Sequence, residues 1–346
     1  VQMTLQAAFK EQAEHCIALG SPFMGQLMRV LARDWPADTA LGRKFAAFEG
    51  DIGPSGASLP LRIAGGLHAL VLKRKAPALM AVYPPHKASD AALSEAVRDA
   101  ITTHEAFLLD WTDSAPQTNE VRRSAALIAG ARVAAQHFNL PIRLSELGAS
   151  GGLNLMWDQF VLEIEGHRYG SNMSTILLSP DWTGKLPPAN NPQVEKRRGV
   201  DLNPLDPTRP DHLLRLMSYI WADQPDRLTL TRTAASVMTA QVQRGDAIDW
   251  LARTLPQSPE GCLHLIQHTV AWQYFPKEAQ VRGNALIEAA GKRATRNRPL
   301  AWLSMEQDGS GLKGAALTLR LWPGDITLPL ARVDFHGRWI DWTYTG

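Results

Sequence analysis

PIRLSELGASGGLNLMWDQF, residues 141–160, decides how this chain is built. It opens as a short apolar run (Ile142, Leu144, Leu147) and passes through Gly148, Gly151 and Gly152. It then continues as a helix start with Leu153, Leu155, Met156 and Phe160 available for burial. The order is strand, tight turn, helix. Glycine suits such a turn because a Cβ clashes where the backbone takes positive φ or where a ligand comes close. The helix start then offers free N–H groups to that ligand. The stretch reads as a nucleotide-cofactor site, against the plainer alternative of a glycine turn made only for helix–strand packing.

The spacing narrows the cofactor. A dinucleotide fingerprint wants G-x-G-x-x-G, with the pyrophosphate on the helix start. Here the pattern is Glu146-x-Gly148-x-Ser150-x-Gly152, with a carboxylate at the strand end. A carboxylate there repels a pyrophosphate and suits a cationic ligand. The pattern resembles the first motif of class I S-adenosylmethionine-dependent methyltransferases, E/D-x-G-x-G-x-G, in which the acid lies near the amino-acid end of the cofactor. Ser150 stands where that motif has its middle glycine.

Composition sets the outer limits. A chain of 346 residues, 45% hydrophobic, can bury a large core in one large or two moderate domains. The net charge of +2 demands neither a nucleic acid nor a membrane as partner. Cys16 and Cys262 fit neither a disulfide framework nor a zinc pattern, and a reducing, cytoplasmic setting is expected. No apolar signal segment follows Val1 and no window approaches the length of a membrane span. Eleven tryptophans are an unusual number, and several fall beside expected strand ends in the second half. They are expected to pack the core, with one or two lining a pocket.

The first 140 residues read as mostly helical: a helix, a Gly20-Ser21-Pro22 break and a second helix over 5–31, a Gly/Pro/Ser-rich loop over 51–60, and later helices over 61–78, 88–109 and 119–137. They are taken as a helical cap domain, residues 1–140, before an α/β domain, residues 141–346. The polar groups His104, Glu105, Asn119, Arg122 and Arg123 either supply substrate contacts from the cap or serve as solvated and capping residues. Residues 161–199 read as an insertion with a hairpin over 161–170 and a Pro/Asn-rich loop, at the sheet edge where ligands bind.

Further along, Asp201, with Asp206 as rival, is the candidate for a ribose, because one carboxylate can accept from both hydroxyls; the alternative is an ordinary turn acid. A helix is expected over 228–242. Asp246 and the small Ala247 then match the methyltransferase position that faces adenine, the alternative being a helix N-cap. Residues 262–270 form the clearest second strand, with the place of the fourth strand beside the first. Methyltransferases acting on amines keep Asn/Asp-Pro-Pro-aromatic after it; this chain has His268-Thr269-Val270-Ala271-Trp272-Gln273-Tyr274. That leaves His268 as candidate base or orienting group across the cleft from Glu146, or as a satisfied structural histidine, with Tyr274 and Glu306 as further acceptor-side candidates. No metal centre is expected: on a strand His264 and His268 stand about 13 Å apart at ~3.3 Å per residue, too far to share an ion.

The tail, residues 315–342, alternates as antiparallel strands joined by short turns. The fold class is thus α/β: a Rossmann-like methyltransferase-type sheet with a helical N-terminal domain and an antiparallel C-terminal meander. The whole chain also resembles an uncharacterised bacterial family, a domain of unknown function. The likeness is carried by Glu146 to Leu155, by Arg197 or Arg198 to Pro204, by Trp-x-Asp-Gln-x-x-Arg at 221–227, and by a strand ending in His268-Thr269. The expected function is transfer of a methyl group from S-adenosylmethionine to a small or medium polar substrate, leaving S-adenosylhomocysteine. The alternatives are a non-catalytic nucleoside-binding sensor or scaffold of the same fold, and an RNA-binding or RNA-modifying protein suggested by the basic runs 73–75 and 292–298. Oligomeric state is not legible.

Overall fold

A computed structural model of the chain describes residues 3–54 and 56–346. Val1 and Gln2, where the chain was read as lacking a signal segment, and Ser55, inside the 51–60 loop, lie outside the described residues.

Chain order begins with α1 (Leu5–Ala18) and α2 (Pro22–Asp34), on either side of the expected break. Each starts where a hydroxyl satisfies a free N–H: Thr4 accepts from Ala7, and Ser21 accepts from Met24 ahead of Pro22. Next come α3 (Ala40–Ala46), α4 (Leu59–Leu72), α5 (Pro77–Val82), α6 (Asp90–Thr103), α7 (Glu105–Trp111) and α8 (Ser124–Phe138). The strands β1 (Ile142–Leu147), β2 (Val161–Ile164), β3 (His167–Tyr169), β4 (Leu177–Leu178), β5 (Asp181–Thr183) and β6 (Val194–Asp201) follow. After α9 (Pro210–Ser218) and α10 (Pro225–Ser236) come β7 (Val242–Arg244), α11 (Ala247–Thr254), β8 (Leu263–Thr269), α12 (Lys277–Lys292) and β9 (Leu300–Glu306). The chain closes with β10 (Ala315–Trp322), β11 (Ile326–Val333) and β12 (Trp339–Trp342). Among the described residues no helix is long and apolar enough to cross a membrane.

The chain forms two compact units. The first, Val1–Thr118 with Arg209–Thr229, is helical. Its centre is α4, buried over most of its surface. Gly65 and Gly66 leave the space that the Tyr219 ring and the Leu108 and Trp111 side chains fill, so a longer residue at either position meets a ring or a branched side chain. Trp221 joins the core of this unit.

The second unit, Asn119–Thr208 with Leu230–Gly346, holds a nine-stranded mixed sheet in the order β5-β12-β11-β10-β9-β8-β1-β6-β7. Strands β9, β8, β1, β6 and β7 run parallel, while β10, β11 and β12 form the antiparallel meander that the tail predicts. β8 lies beside β1, with Leu265 level with Leu144. Every residue of β8 is buried, as a strand covered on both faces must be. The expected hairpin over 161–170 is β2 and β3; β4 pairs with the other edge of β2 to complete a separate three-stranded sheet.

Four expectations differ from this arrangement. The segment after the glycine turn is a 3₁₀-helix, Leu153–Gln159, rather than the start of an α-helix. Residues 228–242 are not one helix: α10 stops at Ser236 and the chain re-enters the sheet as β7. The compact units do not divide at residue 140. α8 packs in the second unit, where Ser124 Oγ donates to Asn154 Oδ1 at 2.6 Å and Gly130 lies directly on Leu303 of β9. An amphipathic helix reads alike whichever core it covers, so its periodicity carries no domain assignment. Finally, β5, inside the supposed insertion, returns to the large sheet by pairing with β12.

Candidate functional site

β1 stands between β6 and β8, and the chain builds outward from it in opposite directions, to β6 and β7 on one side and to β8 and β9 on the other. In an open α/β sheet such a reversal leaves a crevice at the carboxyl ends of the strands. Beyond β1 the backbone turns sharply, with positive φ at Gly148 (64°), Ser150 (52°) and Gly152 (76°). Ser150 therefore adopts the left-handed conformation that the middle glycine of the expected motif takes without strain.

The bend is held by its neighbours. Asp201, at the end of β6, accepts from Ser150 N at 2.9 Å through Oδ2 and from Asn203 N at 2.8 Å through Oδ1. Asn119 Oδ1 accepts from Leu153 N at 3.0 Å, taking a first-turn N–H of the 3₁₀-helix. Arg197 of β6 grips Asp158 with two bonds and donates to Leu155 O at 2.8 Å, fixing the 3₁₀-helix to the sheet. Gly199 leaves room for Ala149 and Leu155, whose carbons would lie 2.8 and 2.9 Å from an added Cβ. On their Cβ sides Gly148 faces Ala271 and Gly152 faces Met238 and Val242, so part of the glycine pattern serves close packing.

Glu146 differs from these braced residues. It is 2% exposed, and among the described residues it makes no ion pair and its Oε2 has no hydrogen-bond partner. The hydroxyl of Ser150 is likewise buried and unpartnered. Burial pushes the Glu146 carboxyl up to about 8; Asp201 adds to the rise, while the Gln267 amide and Arg123 oppose it. Burial thus favours the neutral acid over the carboxylate. A cation brought beside it favours the ionised form, so binding of a cation and loss of a proton are coupled.

His268 and Glu306 come together, but not with Glu146. In the register of β1 and β8, Glu146 is level with Gln267, and successive side chains of a strand face opposite sides, so His268 faces away from the Glu146 side of the sheet. His268 is completely buried and stacked on Trp272. Its Nε2 accepts from Trp302 Nε1 at 2.8 Å, which puts the proton on Nδ1, where it donates to Glu306 Oε1 at 2.7 Å. Glu306 also accepts from the backbone N–H groups of Ala271, Trp272 and Gln273. Although burial works to raise it, these bonds and His268 hold its carboxyl below the ordinary range. The carboxylate thereby secures the turn at Val270, a β-branched residue at φ 49°. Of the two expectations for His268, base or orienting group across the cleft from Glu146 and satisfied structural histidine, the contacts match the second: both its nitrogens are engaged and it belongs to the other face.

The remaining candidates lie apart. Tyr274 is 60% exposed on the short 3₁₀-helix after β8. Asp246 is the N-cap of α11, its Oδ1 accepting from Ile248 N and Asp249 N at 2.9 Å, with Ala247 buried next to it. Asp206 accepts from Thr208 N and Oγ1. Glu105 Oε1 accepts from Ala40 N, a capping contact, and Arg123 Nε donates to Phe335 O. Sequence reasoning passed over Gln267, whose Oε1 accepts from Trp157 Nε1 at 3.0 Å while its Nε2 donates to Asn154 O at 3.2 Å. The signal was available: a polar residue inside a strand flanked by apolar neighbours on both sides must find partners within the core.

A family model described as "Uncharacterized protein conserved in bacteria (DUF2332)" matches residues 6–342, and the chain belongs to that family. No curated protein matches it. The stretches that carried the resemblance have bracing contacts. Asp201 holds the bend, Arg197 the 3₁₀-helix and Glu306 the His268 turn, and Asp223 of the first unit accepts from Ser21 Oγ at 2.6 Å and Phe23 N at 3.1 Å.

Proposed function

We propose, taking membership of that family as the premise and the carboxyl end of β1 as the site, that the protein binds S-adenosylmethionine. It would then transfer the methyl group to a small or medium polar acceptor, with S-adenosylhomocysteine as product. One observation carries the reading: a buried carboxyl, Glu146, beside a positive-φ bend, with an oxygen that has no hydrogen-bond partner among the described residues. The strand order supports it too. It runs from β7 through β6, β1 and β8 to β9 and on to an antiparallel strand, an order compatible with the sheet this reading requires.

In this reading Glu146 accepts from the ammonium of the methionine part, and Ser150 Oγ adds a hydrogen bond at the bend. Asp201 keeps lone pairs for the ribose hydroxyls beyond the two N–H groups it already serves. Asp246 caps α11 through Oδ1, leaving Oδ2 for the exocyclic amine of adenine. Methyl transfer from a sulfonium is an in-line displacement at an activated carbon, so these residues contribute positioning. Titration calorimetry against S-adenosylmethionine, S-adenosylhomocysteine and NAD tests the reading. Both sulfur nucleosides bind, and Glu146→Gln weakens S-adenosylmethionine by about tenfold or more, the loss of one charge-assisted bond. Binding of NAD alone, or of none of the three, overturns it.

A second reading, a cofactor-binding sensor without turnover, is favoured by His268, which is buried with both nitrogens engaged and leaves no base beside the bend. Saturable S-adenosylmethionine binding with no methylated product across a metabolite panel selects it.

A further inference from the structure

The opposite end of the parallel sheet carries an unassigned cluster. A cavity of about 160 Å³ lies at the amino ends of β8 and β9, lined by Ser258, His264, Arg293 and Arg298 among others. His264 is buried and fixed: Ser145 Oγ lies 2.9 Å from Nε2 and Ser258 Oγ 2.7 Å from Nδ1. Burial pushes this imidazole down to about 3, helped by Arg198 and Arg143, so it stays neutral and two more arginines stand close enough to act on it. Four arginines therefore gather around one uncharged histidine.

None of the four makes an ion pair among the described residues. Arg143 and Arg198 donate to Gln257, at 3.5 and 3.3 Å, and the Arg198 guanidinium also lies over the Trp250 ring. Two carboxylates lie in the same stretches, Glu260, which accepts from Asn297 Nδ2, and Glu195, which accepts from the Cys262 thiol; they offset part of the charge of the four arginines without pairing with any of them. Arg298 is set by a tight turn in which its N–H reaches Thr295 O at 3.0 Å and its carbonyl accepts from Thr295 N. The C-terminal end of α12 accounts for Lys292 and Arg293, but a helix end amounts to about half a negative charge and cannot balance the cluster. Such an imbalance favours an anion with several oxygens, which arginine grips with paired N–H groups. The volume is below the roughly 300 Å³ at which small-molecule pockets begin, so it suits a single phosphoryl group.

We propose that this cavity is a phosphoryl-binding site, in which Arg293 and Arg298 hold a phosphate or phosphomonoester and Ser258 lies at its inner wall. It is separate from the bend after β1 and stands whether or not that site binds a sulfur nucleoside.

The test is titration calorimetry of the full chain at low ionic strength with inorganic phosphate and with adenosine 5′-monophosphate, using nitrate as the monovalent control. Saturable phosphate binding is expected, with nitrate at least tenfold weaker. Arg298→Ala and Arg293→Ala each weaken phosphate by tenfold or more. Arg296→Ala, in the same basic run but outside the cavity lining, changes it by less than twofold. Equal affinity for both ligands identifies free phosphate as the source, and tighter binding of the nucleotide identifies a phosphomonoester. Absence of saturable phosphate binding, or equal losses for Arg296→Ala and Arg298→Ala, overturns the assignment. Unchanged far-ultraviolet circular dichroism of the variants separates lost binding from lost fold.

Discussion

Replacing Glu146 by glutamine tests the electrostatics of the bend without any ligand. Glutamine is the neutral isostere of the protonated acid that burial favours at this position. A carboxyl ordinarily at 4.5 and held near 8 stays protonated in the folded chain at neutral pH, while the unfolded chain ionises freely. Each pH step above 4.5 then favours unfolding by about 1.4 kcal/mol, so at pH 7 the wild type is handicapped by about 3 kcal/mol, levelling near 5 kcal/mol once the folded group ionises above pH 8. The sign follows from a folded value raised above the unfolded one: the stabilising share of Glu146 is complete below pH 4.5 and is lost as pH rises through 8. Glu146→Gln should therefore match the wild type at pH 4.5 and exceed it by about 3 kcal/mol at pH 7. Urea unfolding of both proteins at pH 4.5, 7 and 8.5, followed by circular dichroism, measures the gap. A gap that does not change with pH, or a variant less stable at pH 8.5, refutes the reasoning that burial without a partner raises this acid.

Other outcomes follow from single contacts. Glu306→Ala removes the acceptor of the His268 proton and of three backbone N–H groups, and should cost about 3–5 kcal/mol in urea unfolding, with the contribution of the wild-type carboxylate fading as pH falls below the ordinary carboxyl range. Val270→Gly relieves a positive φ in a half-buried residue and should leave stability unchanged or raise it by about 1 kcal/mol. Gly199→Ala drives a Cβ against Ala149 and Leu155; a loss of about 1–3 kcal/mol is expected, together with weakened ligand binding at the bend. Cys16 is fully buried with its thiol pushed up to about 12 by burial, so it should resist Ellman's reagent at pH 8 until the chain is unfolded.

β1 and β8 were legible because short stretches rich in apolar residues and bounded by glycine and proline have few alternatives, and the acid ahead of a glycine cluster located the bend. The place of β8 beside β1 followed from the methyltransferase resemblance, and the antiparallel tail from its alternation and short turns. β7 escaped notice because three residues carry no periodicity. α8 was given to the wrong neighbours because a helical stripe of small and branched residues says only that something covers it.

Alone, then, the order of residues determined the α/β class and the place of the bend, since strand length, glycine and local hydrogen bonding act between near neighbours in the chain. Which face of β8 each side chain takes was decided by tertiary structure. A period of two is visible in sequence, but its phase relative to β1 depends on strand register, and that separates His268 from Glu146. The same holds for charge: Glu146, unpaired and raised, and Glu306, gripped by three backbone N–H groups and lowered, are identical residues whose difference arises from what the fold packs around them.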